Sequence, residues 1–167
     1  MQLADTYAVI ELTTNPDDFA LCAAMMMQND PWVRLGMDYA YCLKAFDGDF
    51  KEIFVLKKAG KIIGFVVMQT QGTFKGYIQT ICIDAANRGG GLGTKLLQFC
   101  EDRILQYSPN IFICVSSFNE GATQLYYKLG YQLVGELKDF VKKDSMELLL
   151  RKTVGGLADY VLPTPKS

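Results

Sequence analysis

Between Tyr77 and Val115 the chain carries the feature that most restricts its fold. A β segment from Tyr77 to Asp84 passes into a glycine-dense stretch, then an amphipathic segment, then the apolar run Ile111-Phe112-Ile113-Cys114-Val115. Leu92, Leu96, Cys100 and Ile104 recur four apart, which predicts a helix over Leu92 to Tyr107 with one apolar face. Ser108-Pro109-Asn110 stops it. A continuous apolar run suits a strand covered on both faces, the kind found in parallel pairs. Strand, helix and strand in that order predict a right-handed crossover between parallel neighbours.

The flanking segments add antiparallel structure. Tyr7 to Leu12 reads as a first strand. Thr14-Asn15-Pro16-Asp17-Asp18 opens a helix with a capping side chain, an early proline and two acids near the positive end of the dipole. Phe19, Cys22, Ala23 and Met26 then share a face, until Asn29-Asp30-Pro31 breaks the helix. Leu35, Tyr39, Cys42, Leu43 and Phe46 suggest one second helix. Ile53 to Leu56 and Ile62 to Met68 flank the hairpin turn Lys57-Lys58-Ala59-Gly60-Lys61. A shorter helix carries Ala122, Leu125, Tyr126 and Leu129, with Gly130 at its C-terminal cap, and strands around 131–139 and 144–152 close the fold. The chain of 167 residues fits one domain at ~150 residues per domain. That domain is expected over 1–152, followed by a loosely held tail, 153–167.

Composition narrows the function classes. Seventeen basic against eighteen acidic residues leave a net charge of −1, without the basic footprint of a nucleic-acid binder. No apolar run approaches the ~20 residues that cross a bilayer, and residues 1–6 lack a signal peptide's basic and apolar regions; a soluble, cytoplasmic protein with no membrane partner is expected. Histidine is absent, which excludes Ser-His-Asp and Cys-His catalysis. The five cysteines include no CxxC pair, and they read as small buried hydrophobes with no metal site.

The glycine-dense stretch Arg88-Gly89-Gly90-Gly91-Leu92-Gly93-Thr94 carries the chemistry. Backbone N–H groups where a strand turns into a helix have no intrahelical partner, and glycine lets a ligand approach them. The helix dipole lies behind them, so the turn suits a phosphate or diphosphate, with Arg88 adding a formal charge. A P-loop would need Gly-Lys-Ser/Thr in a frame that is missing here. A dinucleotide fingerprint would open a repeated βαβ pattern rather than follow antiparallel strands.

Arg88-Gly89-Gly90-Gly91-Leu92-Gly93 resembles the Arg/Gln-x-x-Gly-x-Gly/Ala signature of the GCN5-related N-acetyltransferase (GNAT) family. Asn119-Glu120-Gly121-Ala122-Thr123-Gln124-Leu125-Tyr126-Tyr127-Lys128-Leu129-Gly130-Tyr131 resembles that family's second block at the matching distance. The resemblance covers residues 7–152. It implies a mixed α/β fold whose central sheet is mostly antiparallel, with one parallel crossover and a splayed strand pair. It also implies acetyl-CoA as donor, held by main-chain pairing with Ile81, Cys82 and Ile83, by the N–H groups of 89–94, and by Asn119. Asn119 serves equally as a plain helix cap. Tyr126 falls at the family tyrosine that hydrogen-bonds or protonates the departing sulfur, while Tyr127 points elsewhere. A main-chain N–H near Ile81 or Cys82 would meet the oxyanion.

The resemblance implies transfer of acetyl to a primary amine, on a small molecule or a peptide N-terminus, by direct attack in a ternary complex. Members that acetylate ribosomal-protein N-termini carry a glutamate where this chain has Cys114. Asp84, Glu11, or a water chain lined by Gln79, Thr80 and Ser116 are left as candidate bases. Asp30 beside Trp32 suggests a place for a cationic amine, although Trp32 equally suits packing on the sheet. Phe74, Tyr39 and Asp139 are weaker acceptor candidates. The other reading is a non-catalytic acyl-CoA-binding regulatory module. Relatives are often dimers, so a homodimer is a further expectation.

Overall fold

The computed structural model describes residues 7–164; the first six residues of the expected domain and the last three of the tail lie outside the described residues. The elements run β1 (Val9–Leu12), α1 (Pro16–Met26), α2 (Trp32–Leu35), α3 (Tyr39–Leu43), β2 (Lys51–Lys58), β3 (Lys61–Gln69), β4 (Tyr77–Ile83), α4 (Leu92–Ile104), β5 (Asn110–Ser116), α5 (Glu120–Lys128), β6 (Gln132–Lys138) and β7 (Met146–Thr153). Seven strands pair in the order β1-β2-β3-β4-β5-β7-β6. The ladders β1–β2, β2–β3, β5–β7 and β6–β7 are antiparallel. The β4–β5 ladder is parallel and two pairs long, Tyr77 with Phe112 and Ile78 with Ile113. This is the mixed, mostly antiparallel sheet with one crossover that the sequence predicts.

The chain divides into two compact units, Met1–Gln69 with Gln79–Phe99 and Thr70–Ile78 with Cys100–Ser167. In the first, Cys22, Ala23 and Met26 of α1 pack on Val55, Phe65, Val67 and Cys82 of the strands. Burying Met26, Val55, Phe65 and Val67 stabilises by about 1.5–3 kcal/mol each. Phe19 stacks on Phe46 with ring centroids 5.3 Å apart. Asn15 starts α1 as expected, its side chain accepting from the Asp17 N–H at 3.0 Å.

The second helix expected from the sequence is two helices. Gly36 adopts a left-handed φ of 68° and its N–H closes on Trp32 and Val33, ending α2; Asp38 then caps α3 through the Tyr41 N–H. Leu35, Cys42 and Phe46 are buried as predicted, while Tyr39 is turned to solvent. The run over Leu92 to Tyr107 also ends sooner, at Ile104.

In the second unit, Ile111, Ile113, Val115, Ile104, Cys100 and Leu150 are buried. Glu101 gathers two partners there, accepting from the Tyr131 hydroxyl at 3.2 Å and from Lys152 Nζ at 2.9 Å. Beyond β7 the tail is more tied down than its lack of periodicity suggests. The Val154 N–H bonds the Pro109 carbonyl at 3.0 Å, and the Tyr160 hydroxyl donates to the Leu105 carbonyl at 2.5 Å. No helix among the described residues is long and apolar enough to cross a membrane.

Candidate active site

In the first unit β4 leads into the glycine turn. Ile81 is half-buried and Cys82 and Ile83 are buried. The Asp84 N–H bonds the Ile63 carbonyl at 2.9 Å, which fixes where the strand ends. A short 3-10 turn over Ala85–Asn87 follows. The first helical bond of α4 runs from the Lys95 N–H to the Gly91 carbonyl at 3.0 Å. The N–H groups of Leu92, Gly93 and Thr94 precede it and have no intrahelical partner.

Gly89 and Gly91 hold φ values of 84° and 80°, which glycine alone adopts freely. Gly90 has no such φ, and a methyl group built on Gly89, Gly90 or Gly91 would meet nothing within 4 Å. Neither backbone strain nor crowding within the protein requires glycine at Gly90. An open, methyl-free surface over unpartnered amides is what a bound diphosphate would use.

Arg88 is also held by the protein itself. Its Nε donates to the Ile83 carbonyl at 2.9 Å and its Nη2 to Asn29 Oδ1 at 2.6 Å. Asn29, buried at the end of α1, donates in turn to the Met25 carbonyl at 2.7 Å. The guanidinium thus braces β4, the turn and α1 together, and offers an anion only its remaining N–H groups.

In the second unit Asn119 caps α5, with Oδ1 accepting from the Ala122 N–H at 3.3 Å. Tyr126 is buried on α5, its ring 5.9 Å from that of Tyr131. Burial, with a smaller effect of Cys100, pushes its phenol up to about 12, so it is a proton donor and not a phenolate. Tyr127 is exposed, as expected.

Several weaker candidates are already engaged. Glu11 is ion-paired with Lys57 at 2.9 Å. Gln79 donates to the Ala45 carbonyl at 3.0 Å and accepts from Gln69 at 3.1 Å, which leaves little of it for a water chain. Trp32 packs against the core of the first unit, and Asp30 accepts from the Arg34 N–H at 3.2 Å. Asp139 closes a turn on the Asp144 N–H at 2.6 Å. Phe74 is 65% exposed, yet sits edge-on to Phe112 with centroids 5.4 Å apart. Thr80 is buried. Burial pushes the thiols of Cys22 and Cys82 up to about 12 and raises that of Cys114, so none is activated as a nucleophile. No cluster able to hold a metal occurs among the described residues.

One residue escaped the sequence reading. Glu147 of β7 is buried opposite Ser116 of β5, whose hydroxyl donates to Glu147 Oε1 at 2.7 Å. Burial raises its carboxyl above the usual range, partly countered by that hydrogen bond. The two residues lie 31 positions apart, and only strand register joins them.

Comparison with known proteins bears on the family and the fold. The profile of the acetyltransferase (GNAT) family matches residues 16–131. The uncharacterized protein ML0378 of Mycobacterium leprae (strain TN) is 25% identical over 141 residues; the match spans 79% of this chain but only 37% of that protein's length. The ribosomal-protein-S18-alanine N-acetyltransferase of Escherichia coli superposes with a TM-score of 0.71 at 17% identity, over 93% of this chain and 99% of that one. An aminoglycoside 6'-N-acetyltransferase solved with coenzyme A gives 0.68 at 15% identity, over 95% and 99%. At these identities the likeness to the solved structures is one of fold.

Proposed function

The chain belongs to the acetyltransferase (GNAT) family, and from that premise we propose that it moves the acetyl group of acetyl-CoA onto a primary amine, on a small molecule or a peptide N-terminus, by direct attack in a ternary complex. The observation that carries this reading is the turn ahead of α4. It joins unpartnered amides with a glycine, Gly90, that the protein's own geometry does not require.

Acetyl-CoA supplies an activated thioester and a thiolate leaving group. The Leu92, Gly93 and Thr94 N–H groups, with the α4 dipole, would take the diphosphate. Arg88 holds the turn in shape through Ile83 and Asn29, and so acts mainly by pre-organising it. Ile81, Cys82 and Ile83 would pair with the pantetheine arm as an added strand does. The Asn119 side-chain oxygen Oδ1 is taken up in capping, so its side-chain N–H groups are what it could offer a ligand. Tyr126 stays protonated through the neutral range and is the proposed hydrogen-bond donor to the sulfur.

Calorimetry with acetyl-CoA, CoA and ATP tests the donor. Both CoA species should bind, and ATP more weakly; tighter ATP binding would end the reading. A free-thiol assay over a panel of alkylamines, aminoglycosides and peptide N-termini then tests transfer. Bound acetyl-CoA without transfer to any amine would instead favour an acyl-CoA-binding module.

Tyr126→Phe should lower kcat roughly tenfold while leaving acetyl-CoA affinity unchanged. That is less than the ~10²–10⁴-fold of an indispensable acid, because a thiolate of pKa ~8.5 departs without full protonation. An unchanged kcat would remove Tyr126 from the chemistry.

A further inference from the structure

A buried carboxylate lowers stability unless partners satisfy it. Glu147 is 5% exposed and Ser116, its one hydrogen-bond partner among the described residues, is 3% exposed. Ser116 pairs with Glu147, and Cys114 with Leu149. Residues two apart on a strand share a face, so Cys114, Ser116, Leu149 and Glu147 form one patch. Tyr77 hydrogen-bonds Cys114 within it. Cys114 stands where the family resemblance would put a glutamate, and Glu147 reaches the same face from the neighbouring strand.

We propose that Glu147, acting through the Ser116 hydroxyl, takes the proton that the acceptor's ammonium must lose before attack. The step is a proton transfer alone. An N–H bond of the ammonium breaks, an O–H bond forms on Ser116 Oγ, and the proton already on Ser116 moves to Glu147 Oε1. One positive and one negative charge become a neutral amine and a neutral carboxylic acid. The 2.7 Å Ser116–Glu147 bond already points the serine proton along this path. Ser116 would meet the amine, while Glu147 stands behind it as the final acceptor.

The inference rests on the acetyl-transfer reading above, and the test separates the two. Wild type and Glu147→Gln are compared with two acceptors: the best alkylamine of the panel, protonated at neutral pH, and hydroxylamine, a weak base already free. Acetyl-CoA binding by calorimetry should match in both proteins, since glutamine keeps the shape and still accepts from Ser116. Alkylamine transfer should fall ~10²-fold or more, and hydroxylamine transfer should stay within about threefold of wild type. Ser116→Ala should reproduce that split at smaller size, and carries the comparison should Glu147→Gln lose acetyl-CoA binding. Equal losses with both amines, or none with the alkylamine, would overturn the base and leave acetyl transfer standing. A wild-type chain that binds no acetyl-CoA, or transfers to neither amine, would overturn both.

Discussion

Gly76→Ala should be among the most destabilising single changes in the chain. Gly76 holds φ at +85°, and a methyl group there would lie 2.4 Å from the Asn110 carbonyl oxygen and 2.7 Å from Ile104 Cγ2. The carbonyl is backbone and cannot swing aside. Gly76 itself is pinned, because its own carbonyl accepts the Phe112 N–H at 3.0 Å. The cost joins about 1 kcal/mol for an unfavourable φ to about 1–3 kcal/mol for overpacking. For a chain of this size that lowers the melting midpoint by roughly 4–16 °C. Gly89→Ala is the matched control: its φ of +84° is nearly the same, but the space around it is open. It should cost only the φ component, about 1 kcal/mol. Denaturant unfolding of both variants decides the matter. Equal losses would show that the close approach at Gly76 contributes nothing.

Gly90→Asp should do the reverse, leaving stability nearly untouched while abolishing most of the affinity for acetyl-CoA. Gly90 is exposed, and an added Cβ meets no atom within 4 Å. A carboxylate there would face the diphosphate across roughly 4 Å, a repulsion between about 1 kcal/mol in water and about 4 kcal/mol near a protein surface. Two phosphates and the loss of the methyl-free approach put the expected loss at ~10²–10³-fold. S-acetylpantetheine, which keeps the thioester arm and lacks the diphosphate, should bind wild type and variant alike. Calorimetry with both ligands separates the cases. If acetyl-CoA binds the variant as tightly as wild type, the turn does not hold the diphosphate. If both ligands lose affinity together, the substitution has deformed the arm's path instead.

The two predictions differ because the two glycines are glycines for different reasons. At Gly76 the protein's own backbone crowds the position. At Gly90 nothing among the described residues does, and the proposed diphosphate would supply the reason. Both appear in the sequence as the same letter. Arg88 is readable in the sequence as a charge beside a phosphate site, and its bonds to Ile83 and Asn29 add a bracing role that the sequence does not show.

Local order was legible wherever one segment carried its own signal. The four-residue recurrence along α4, the Asn15 and Asn119 caps, the glycine turn and the apolar β5 run depend on neighbours within a few positions, so the sequence predicts them directly. Where a short-range signal competed with periodicity, the prediction slipped. The left-handed Gly36 ends α2 inside a pattern that reads as one helix. The two compact units exchange segments along the chain at Gln69, Ile78 and Phe99, so no linker marks them.

The sequence alone determined the order of elements and the crossover, and pointed to the proposed anion site, because helix periodicity and unpartnered amides at a helix start are local physics. The tertiary structure alone brought a buried carboxylate against Ser116. Glu147 meets Ser116 through the β5–β7 register, and that register is set by side chains packing across strands distant in the chain. No spacing within one segment encodes such a meeting.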